Sequence, residues 1–274
     1  MQMGSNISEI LNFYLEAGVD EVISDQPVDQ FALSSAPPTS PARAPRAKPA
    51  STARPATPVT GTQNGPTASI NLSAEIEKAE NLANLAQTLE ELRASLDNFT
   101  GSALKSMAMN TVFSRGKLGA KLMIIDRAPG AEEDRQGVPF AAAKGELLSK
   151  MLRAIDINID ETYMAAALPW RPPGGQAPTK EDRALCLPFL KRHIELAAPE
   201  HLLLCGEAAS IVLEREKTGI NKLRGTWETI KIGGLEIPSL SLFHPAFLMD
   251  HPASKKLAWE DLLALKAKLN NIPH

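Results

Sequence analysis

The chain has 274 residues, of which 43% are hydrophobic and 22% are charged, and this composition allows one or two folded domains with a substantial core. Its apolar runs are too short to cross a bilayer and no leader-like segment opens it, so we expect a cytoplasmic protein without a membrane partner. The formal net charge of −3 excludes a general basic field, so any nucleic-acid binding needs a local patch.

The first 70 residues predict two segments outside any globular domain. Within residues 1–34, apolar side chains at helical spacing over residues 7–15 predict a short amphipathic helix, which is a candidate site for a protein partner. Residues 35–70 are rich in Pro, Ala, Ser and Thr and predict a disordered linker. Four basic residues and no acidic residue over 35–67 allow either a simple tether or a phosphate-attracting arm.

Residues 71–100 predict one amphipathic helix that begins at the N-cap candidate Ser73. Its apolar face comprises seven residues at three- and four-residue steps: Ile76, Ala79, Leu82, Leu85, Leu89, Leu92 and Leu96. The spacing also suits a coiled coil. Three heptads barely suffice for one, so we expect the helix to pack against the domain that follows, residues 101–274.

From Lys121 onward, short apolar runs alternate with helical patterns, which is typical of an α/β fold with a parallel sheet between helices. The predicted strands are residues 121–125, 163–167, 201–205 and 239–242. A helix is predicted over residues 146–155. Another begins at Thr179, with Asp182 completing a capping pair, and Pro188 is expected to bend or interrupt it.

Three loops follow the predicted strands, at residues 126–140, 169–178 and 243–248. Ligands of open α/β sheets bind at the carboxyl ends of the strands, so these loops should form any site. Their sequences resemble the motifs of family 4 uracil-DNA glycosylases, namely Gly-Glu-Ala-Pro-Gly, Gly-x-Pro-Phe-Val-Gly, Cys-Arg-Pro-Pro-Gly-Asn-Arg and His-Pro-Ala-Tyr-Leu. The order and approximate spacing match from Lys121 to Leu265.

Residues 14–21 also resemble the start of alphaproteobacterial members of that family. The resemblance implies a three-layer α/β/α fold around a four-stranded parallel sheet, in a protein of the bacterial cytosol or nucleoid. It further implies excision of uracil from single- or double-stranded DNA by hydrolysis of the N-glycosidic bond. The base must first leave the stack and enter a pocket.

The resemblance assigns a catalytic role to His244, which matches the histidine that supports the departing uracil oxygen. Without this resemblance, the ordinary interpretation of His244 would be a hydrogen-bonded histidine in a turn. Phe140 matches the ring on which the flipped base stacks. The remaining base-pocket positions that the resemblance implies are Ala128, Pro129, Gly130 and Ala166.

Several positions depart from the family pattern. Arg127 replaces a glutamate, which reverses the local charge and is expected to fill space near the attacking water. Ala166 replaces the asparagine that reads the uracil edge and offers no side-chain donor or acceptor. The candidate DNA contacts are Arg171, Lys255 and Lys256, although positive charge is lost from the loops at 174–176 and at Asp250.

The family holds a 4Fe–4S cluster with four cysteines. Here Ser102 and Trp170 stand at two ligand positions and only Cys186 remains, so we expect no cluster and no metal or other cofactor. Cys205 belongs to a predicted strand and should be a small core residue.

Two functions stay open at this stage. One is a working DNA glycosylase with weakened activity or altered specificity. The other is a catalytically inactive paralogue that binds DNA or a protein through the same cleft.

Overall fold

The structure is a computed structural model that describes residues 72–215 and 217–270. The chain divides into two units, residues 1–62 and 63–274, and every described residue belongs to the second. The helix predicted over residues 7–15, the alphaproteobacterial-like segment 14–21 and the linker predicted over 35–70 lie outside the described residues and stay predictions. No helix within the described ranges is long and apolar enough to span a membrane.

A six-stranded sheet forms the middle layer of this unit. Its strands are β1 (Ser114–Gly116), β2 (Leu122–Asp126), β3 (Tyr163–Ala166), β4 (His201–Cys205), β5 (Trp227–Ile232) and β6 (Leu235–Leu242), in the order β1-β3-β2-β4-β6-β5. The four central strands β3, β2, β4 and β6 are parallel, as the sequence predicts. The antiparallel edge strands β1 and β5 were not predicted.

Helices cover both faces of the sheet. They are α1 (Leu72–Leu85), α2 (Leu89–Asn98), α3 (Ala103–Met107), α4 (Ala131–Gln136), α5 (Ala142–Arg153), α6 (Lys180–Ala197), α7 (Glu207–Val212), α8 (Ile220–Leu223), α9 (Pro245–Asp250) and α10 (Lys255–Leu269). Alternate residues of β2 enter different cores, Met123 with α1, α2 and α6, and Ile124 with α5 and α10. The unit therefore has three layers, with apolar cores on both sides of the sheet.

The single helix predicted from Ser73 to Leu96 is wrong, because two helices occupy this stretch. The helix α1 ends at Leu85, which is 74% exposed rather than part of the apolar face. Thr88 caps α2 by accepting a hydrogen bond from the backbone of Glu91. Arg192 of α6 donates two hydrogen bonds to the carbonyl of Ala86, which satisfies the backbone where the chain turns.

The helix α6 begins as predicted, with Thr179 and Asp182 forming a reciprocal capping pair. It continues through Pro188 without interruption. Proline removes one backbone donor and crowds the preceding turn. Seven side chains of this 18-residue helix are buried. Their burial stabilises the helix by more than the one missing backbone hydrogen bond costs.

Candidate functional site

The carboxyl ends of the parallel strands bring three predicted loops together. Asp126 closes β2 and lies in register with Ala166, the last residue of β3. On the other side of β2, Cys205 at the end of β4 pairs with Leu242 of β6. The chain leaves β6 and reaches His244, which caps the N-terminus of α9. The candidate site lies at this edge of the sheet, where open α/β folds bind their ligands.

The centre of the site is a buried hydrogen bond between His244 and Asp126. The distance from His244 Nε2 to Asp126 Oδ1 is 2.7 Å, and both side chains are at least 95% buried. The other ring nitrogen, Nδ1, accepts a hydrogen bond from the backbone N–H of Ala246 at 3.0 Å. Nδ1 therefore carries no proton, so the proton of the neutral ring lies on Nε2 and is donated to the carboxylate.

Asp126 also orders the surrounding backbone. Its Oδ1 accepts a hydrogen bond from the N–H of Arg127 at 2.8 Å, and its Oδ2 accepts one from the N–H of Phe140 at 2.6 Å. With His244 this makes three donors to one carboxyl group, which hold the side chain in a single orientation.

Phe140 is fully buried and its ring stacks on the imidazole of His244, with centroids 5.7 Å apart and planes 13° from parallel. Its φ of 49° is in the left-handed region, which costs energy for an aromatic residue. The hydrogen bond to Asp126 holds the loop in this conformation. Gly145 leaves room for it, since a Cβ there would lie 2.1 Å from the carbonyl oxygen of Phe140.

A second buried carboxylate, Glu133, ties two site loops together. One oxygen accepts a hydrogen bond from the N–H of Gly130 and the other accepts one from Ala141, each at 3.0 Å. Lys144 forms an ion pair with the same carboxylate. Because Glu133 is only 1% exposed, this network fixes the loop at 128–130 against the loop at 139–141.

The carboxylates shape the electrostatics of neighbouring groups. Burial lowers the pKa of Arg115, and attraction to Asp126, Asp160 and Glu133 opposes that shift. Burial raises the pKa of the Cys205 thiol, and the negative charge of Asp126 raises it further. Cys205 is therefore a protonated core residue beside the site rather than a nucleophile or metal ligand.

Gly206 permits the close approach of His244 to the end of β4. Its φ is 63°, and a Cβ at this position would lie 2.8 Å from the Cβ of His244. Glycine accepts this backbone conformation without steric cost and leaves space for the histidine. A larger residue would displace the imidazole from Asp126 or strain the turn.

The structure separates the predicted site residues into an inner and an outer group. The inner group comprises His244, Phe140 and Ala166. Asp126, which was not among the predicted site residues, binds both His244 and the N–H of Phe140 and lies in register with Ala166. Pro129 is buried in the adjoining loop, with Ala128 and Gly130 partly exposed.

The outer group comprises the cationic candidates. Arg127 is exposed, and its side chain has no hydrogen-bond or ion-pair partner among the described residues. The side chain that contacts His244 is that of Asp126. Arg171 is partly buried, with its Nε lacking a partner in the described part of the chain. Lys255 and Lys256 are exposed at the start of α10.

Sequence reasoning missed the roles of Asp126, Glu133 and Gly206. A signal for the first was present, since a carboxylate that ends a fully apolar strand must find donors when it is buried. The partner of that carboxylate lies 118 residues away along the chain, which local patterns do not reveal.

The positions matched to the family's cluster ligands are buried. Trp170 is 1% exposed, stacks on Phe99 with ring centroids 6.3 Å apart, and donates a hydrogen bond to Thr111. Burial raises the pKa of the Cys186 thiol far above its ordinary range. Ser102, at one of the early ligand positions, has a buried hydroxyl without a partner among the described residues. One protonated thiol, a hydroxyl and an indole do not fit a cluster that needs four thiolates.

No group of three or more potential metal-ligating side chains occurs within residues 72–215 and 217–270.

Comparison with known proteins places these features in a family. A type-4 uracil-DNA glycosylase of Thermotoga maritima is 28% identical over 187 residues, covering 66% of this chain and 94% of that protein. The type-4 uracil-DNA glycosylase of Saccharolobus solfataricus is 29% identical over 169 residues, covering 60% and 78%. The sequence model of the uracil DNA glycosylase superfamily matches residues 113–263, more than half of the chain and all four parallel strands. The chain therefore belongs to the uracil DNA glycosylase superfamily.

Proposed function

We propose that this protein is a uracil-DNA glycosylase-like enzyme of base excision, which hydrolyses N-glycosidic bonds in DNA with weakened activity or altered specificity. Membership of the superfamily supports the reaction class. The proposal rests mainly on the hydrogen bond from His244 Nε2 to Asp126. This bond determines whether the imidazole can donate a hydrogen bond to a departing base.

The neutral imidazole suits the reaction in one respect. A base that leaves as an anion is stabilised by a fixed N–H donor, and the Ala246 N–H fixes the proton of His244 on Nε2. The Nε2–H group of His244 already donates a hydrogen bond to the carboxylate of Asp126. A uracil anion would therefore have to replace a bound carboxylate and lie close to its negative charge, which weakens catalysis.

The pocket offers little to read the uracil edge. Ala166 has no polar side-chain atom, and the neighbouring N–H of Ala167 already donates to the carbonyl of Asp126 at 2.8 Å. A flipped uracil would leave its base-pair hydrogen bonds unreplaced here. Discrimination between uracil and other bases is therefore expected to be poor.

A second candidate function is a catalytically inactive paralogue that binds DNA. The observation that favours it is the closure of the site, since Phe140 is fully buried and His244 is only 3% exposed. Because the imidazole of His244 stacks on Phe140, a base can take that place only if the imidazole moves. In this alternative, DNA binding uses the exposed Lys255 and Lys256 and the partly buried Arg171, whose positive charges suit phosphates.

The two functions are separated by excision assays on single-stranded and duplex oligonucleotides that contain one uracil. We expect slow excision by the natural protein and none by His244→Ala. Asp126→Gly removes the competing carboxylate and should raise the rate by about a hundredfold, the usual worth of one oxyanion donor. Asp126→Asn keeps the volume and removes the charge, so it should give a smaller gain.

Two further variants test the pocket. Arg127→Glu combined with Ala166→Asn should increase preference for uracil over cytosine. Urea denaturation of each variant checks that it folds. Efficient excision by the natural protein that falls in Asp126→Gly would refute the blocking role of this carboxylate. No excision by any folded variant, with oligonucleotide binding retained, would establish the inactive alternative.

We also propose that the chain holds no iron-sulfur cluster and no other metal. The stacking of Trp170 on Phe99 and the buried, protonated thiol of Cys186 support this. Protein purified under anaerobic conditions with iron supplied should be colourless and contain iron far below one atom per chain. A brown preparation with cluster absorbance and stoichiometric iron would overturn the proposal.

A further inference from the structure

An apolar groove lies between α5 and α10, which cover the face of the sheet opposite to α6. Its volume is about 240 Å³. The wall from α5 includes Leu147 and Met151, and the wall from α10 includes Trp259 and Leu262. On both helices the lining residues follow one another at three- and four-residue steps, so each wall is one continuous helical stripe.

The apolar surface continues beyond the groove. Trp259 is 42% exposed, and the neighbouring Leu263, one turn along α10, is 44% exposed. Met249 of the adjoining helix α9 is 46% exposed. Single exposed apolar side chains are ordinary. Here one lines the groove, one lies a turn further along the same helix, and one follows the lining residue Leu248 in the sequence, a grouping of the kind that marks interaction sites.

The charges at the groove all have one sign. Among the described residues, Lys150 and Lys255 are the only charged ones that line it. Neither has an ion-pair or hydrogen-bond partner within residues 72–215 and 217–270, whereas Lys266, further along α10, is paired with Asp156. The apolar floor therefore has two free ammonium groups at its rim, which favour a negatively charged occupant.

We propose that this groove binds an acidic amphipathic helix of a protein partner. Two helical walls with apolar stripes accept a third helix that presents residues i, i+3, i+4 and i+7. The two lysines would pair with acidic residues that flank this stripe. The volume is below the roughly 300–1,000 Å³ of pockets that enclose drug-sized ligands, which favours separate side chains as the inserted groups.

Nucleic acid fits this surface less well. Single-stranded DNA binds proteins by stacking its bases on several aromatic rings along a basic groove. In the part of the chain that the structure describes, Trp259 is the only aromatic residue lining the groove, and the other apolar lining residues are aliphatic. The groove is also separate from the site at His244, so this proposal goes beyond the excision of bases.

The test uses the full chain and a fluorescent synthetic peptide of about 16 residues, with leucines at i, i+3, i+4 and i+7 and glutamates elsewhere. Fluorescence anisotropy should detect binding that weakens with salt. Trp259→Ala and the double variant Lys150→Glu with Lys255→Glu should each weaken binding about tenfold or more. The matched control Lys256→Glu changes an adjacent exposed lysine outside the lining and should have less than about a twofold effect.

Three results would overturn the proposal. The first is equal or tighter binding of a peptide with lysines in place of the glutamates. The second is a uracil-free oligonucleotide that binds and responds to these variants while the acidic peptide does not bind. The third is a dimer in sedimentation velocity that Trp259→Ala dissociates, which would make a second copy the occupant. Urea denaturation confirms that each variant is folded.

Discussion

Gly206 and His244 illustrate how one backbone position controls the chemistry of another residue. The imidazole reaches Asp126 because the turn after β4 carries no side chain, and its proton is placed by the N–H of Ala246. The sequence identified His244 as the central residue through its motif. It did not identify the carboxylate that binds it, because that contact depends on the register of β2 and β6 across the sheet.

Replacing Gly206 with alanine should therefore destabilise the protein and disturb the site. The new Cβ meets the Cβ of His244, and the backbone conformation with φ of 63° is unfavourable for alanine. We expect a loss of about 1–3 kcal/mol in the free energy of unfolding, measured by urea denaturation.

The control is Gly219→Ala, at a position where a Cβ meets nothing within 4 Å and φ is −73°. It should change stability by less than about 0.5 kcal/mol. Equal effects of the two substitutions would argue against a special role for the turn at Gly206.

At the level of elements, the sequence predicts the four parallel strands well because three of them are short, almost wholly apolar runs. The fourth, at 239–242, alternates serine with leucine and is also buried. The prediction fails for the edge strands β1 and β5 and for the first half of β6. Pro238 lies in this half, where residues 235–238 pair only with β5, so the missing N–H of proline is tolerated at this edge.

The break between α1 and α2 was missed although its signal is local. Thr88 and Glu91 form a Thr-x-x-Glu pattern, and the carboxylate of Glu91 accepts a hydrogen bond from the backbone of Gln87. The regular spacing of leucines continues across this cap, so it predicted one helix. Hydrophobic periodicity alone does not distinguish one long helix from two helices that pack on the same core.

Thr88→Ala should lower the free energy of unfolding by about 1 kcal/mol, because the N–H of Glu91 loses its acceptor. Thr88→Ser keeps the hydroxyl and should remain within about 0.5 kcal/mol of the natural protein. Thermal or urea unfolding measures both. A serine variant as unstable as the alanine variant would indicate that the methyl group of Thr88, rather than its cap, matters.

Across the whole molecule, stability should depend on pH through the buried His193. It stacks on Phe113 at 4.3 Å and shares a hydrogen bond with the hydroxyl of Tyr163 at 2.9 Å. Burial lowers the pKa of His193 from 6.5 to about 3. The unfolded chain therefore binds a proton that the folded chain excludes, so this stabilisation is complete above pH 6.5 and declines as the pH falls towards 3.

We expect His193 to lower the free energy of unfolding by about 1.4 kcal/mol for each pH unit below pH 6.5. Urea denaturation between pH 7.5 and 4.5 measures the slope. His193→Gln, which keeps a hydrogen-bonding side chain without a titrating group, should have a shallower slope. The control His251→Gln removes an exposed histidine and should leave the slope unchanged. Parallel slopes for the natural protein and His193→Gln would contradict the assignment.

The carboxylate that closes β2 acts as an internal ligand for His244 at the candidate site. Its effective concentration does not fall on dilution, because the sheet holds it in place. Any base entering the site must compete with it, and the apparent affinity is reduced by the fraction of molecules in which the carboxylate has detached. The rate of excision by this protein would therefore depend less on how tightly a base fits than on how often the hydrogen bond between Asp126 and His244 breaks.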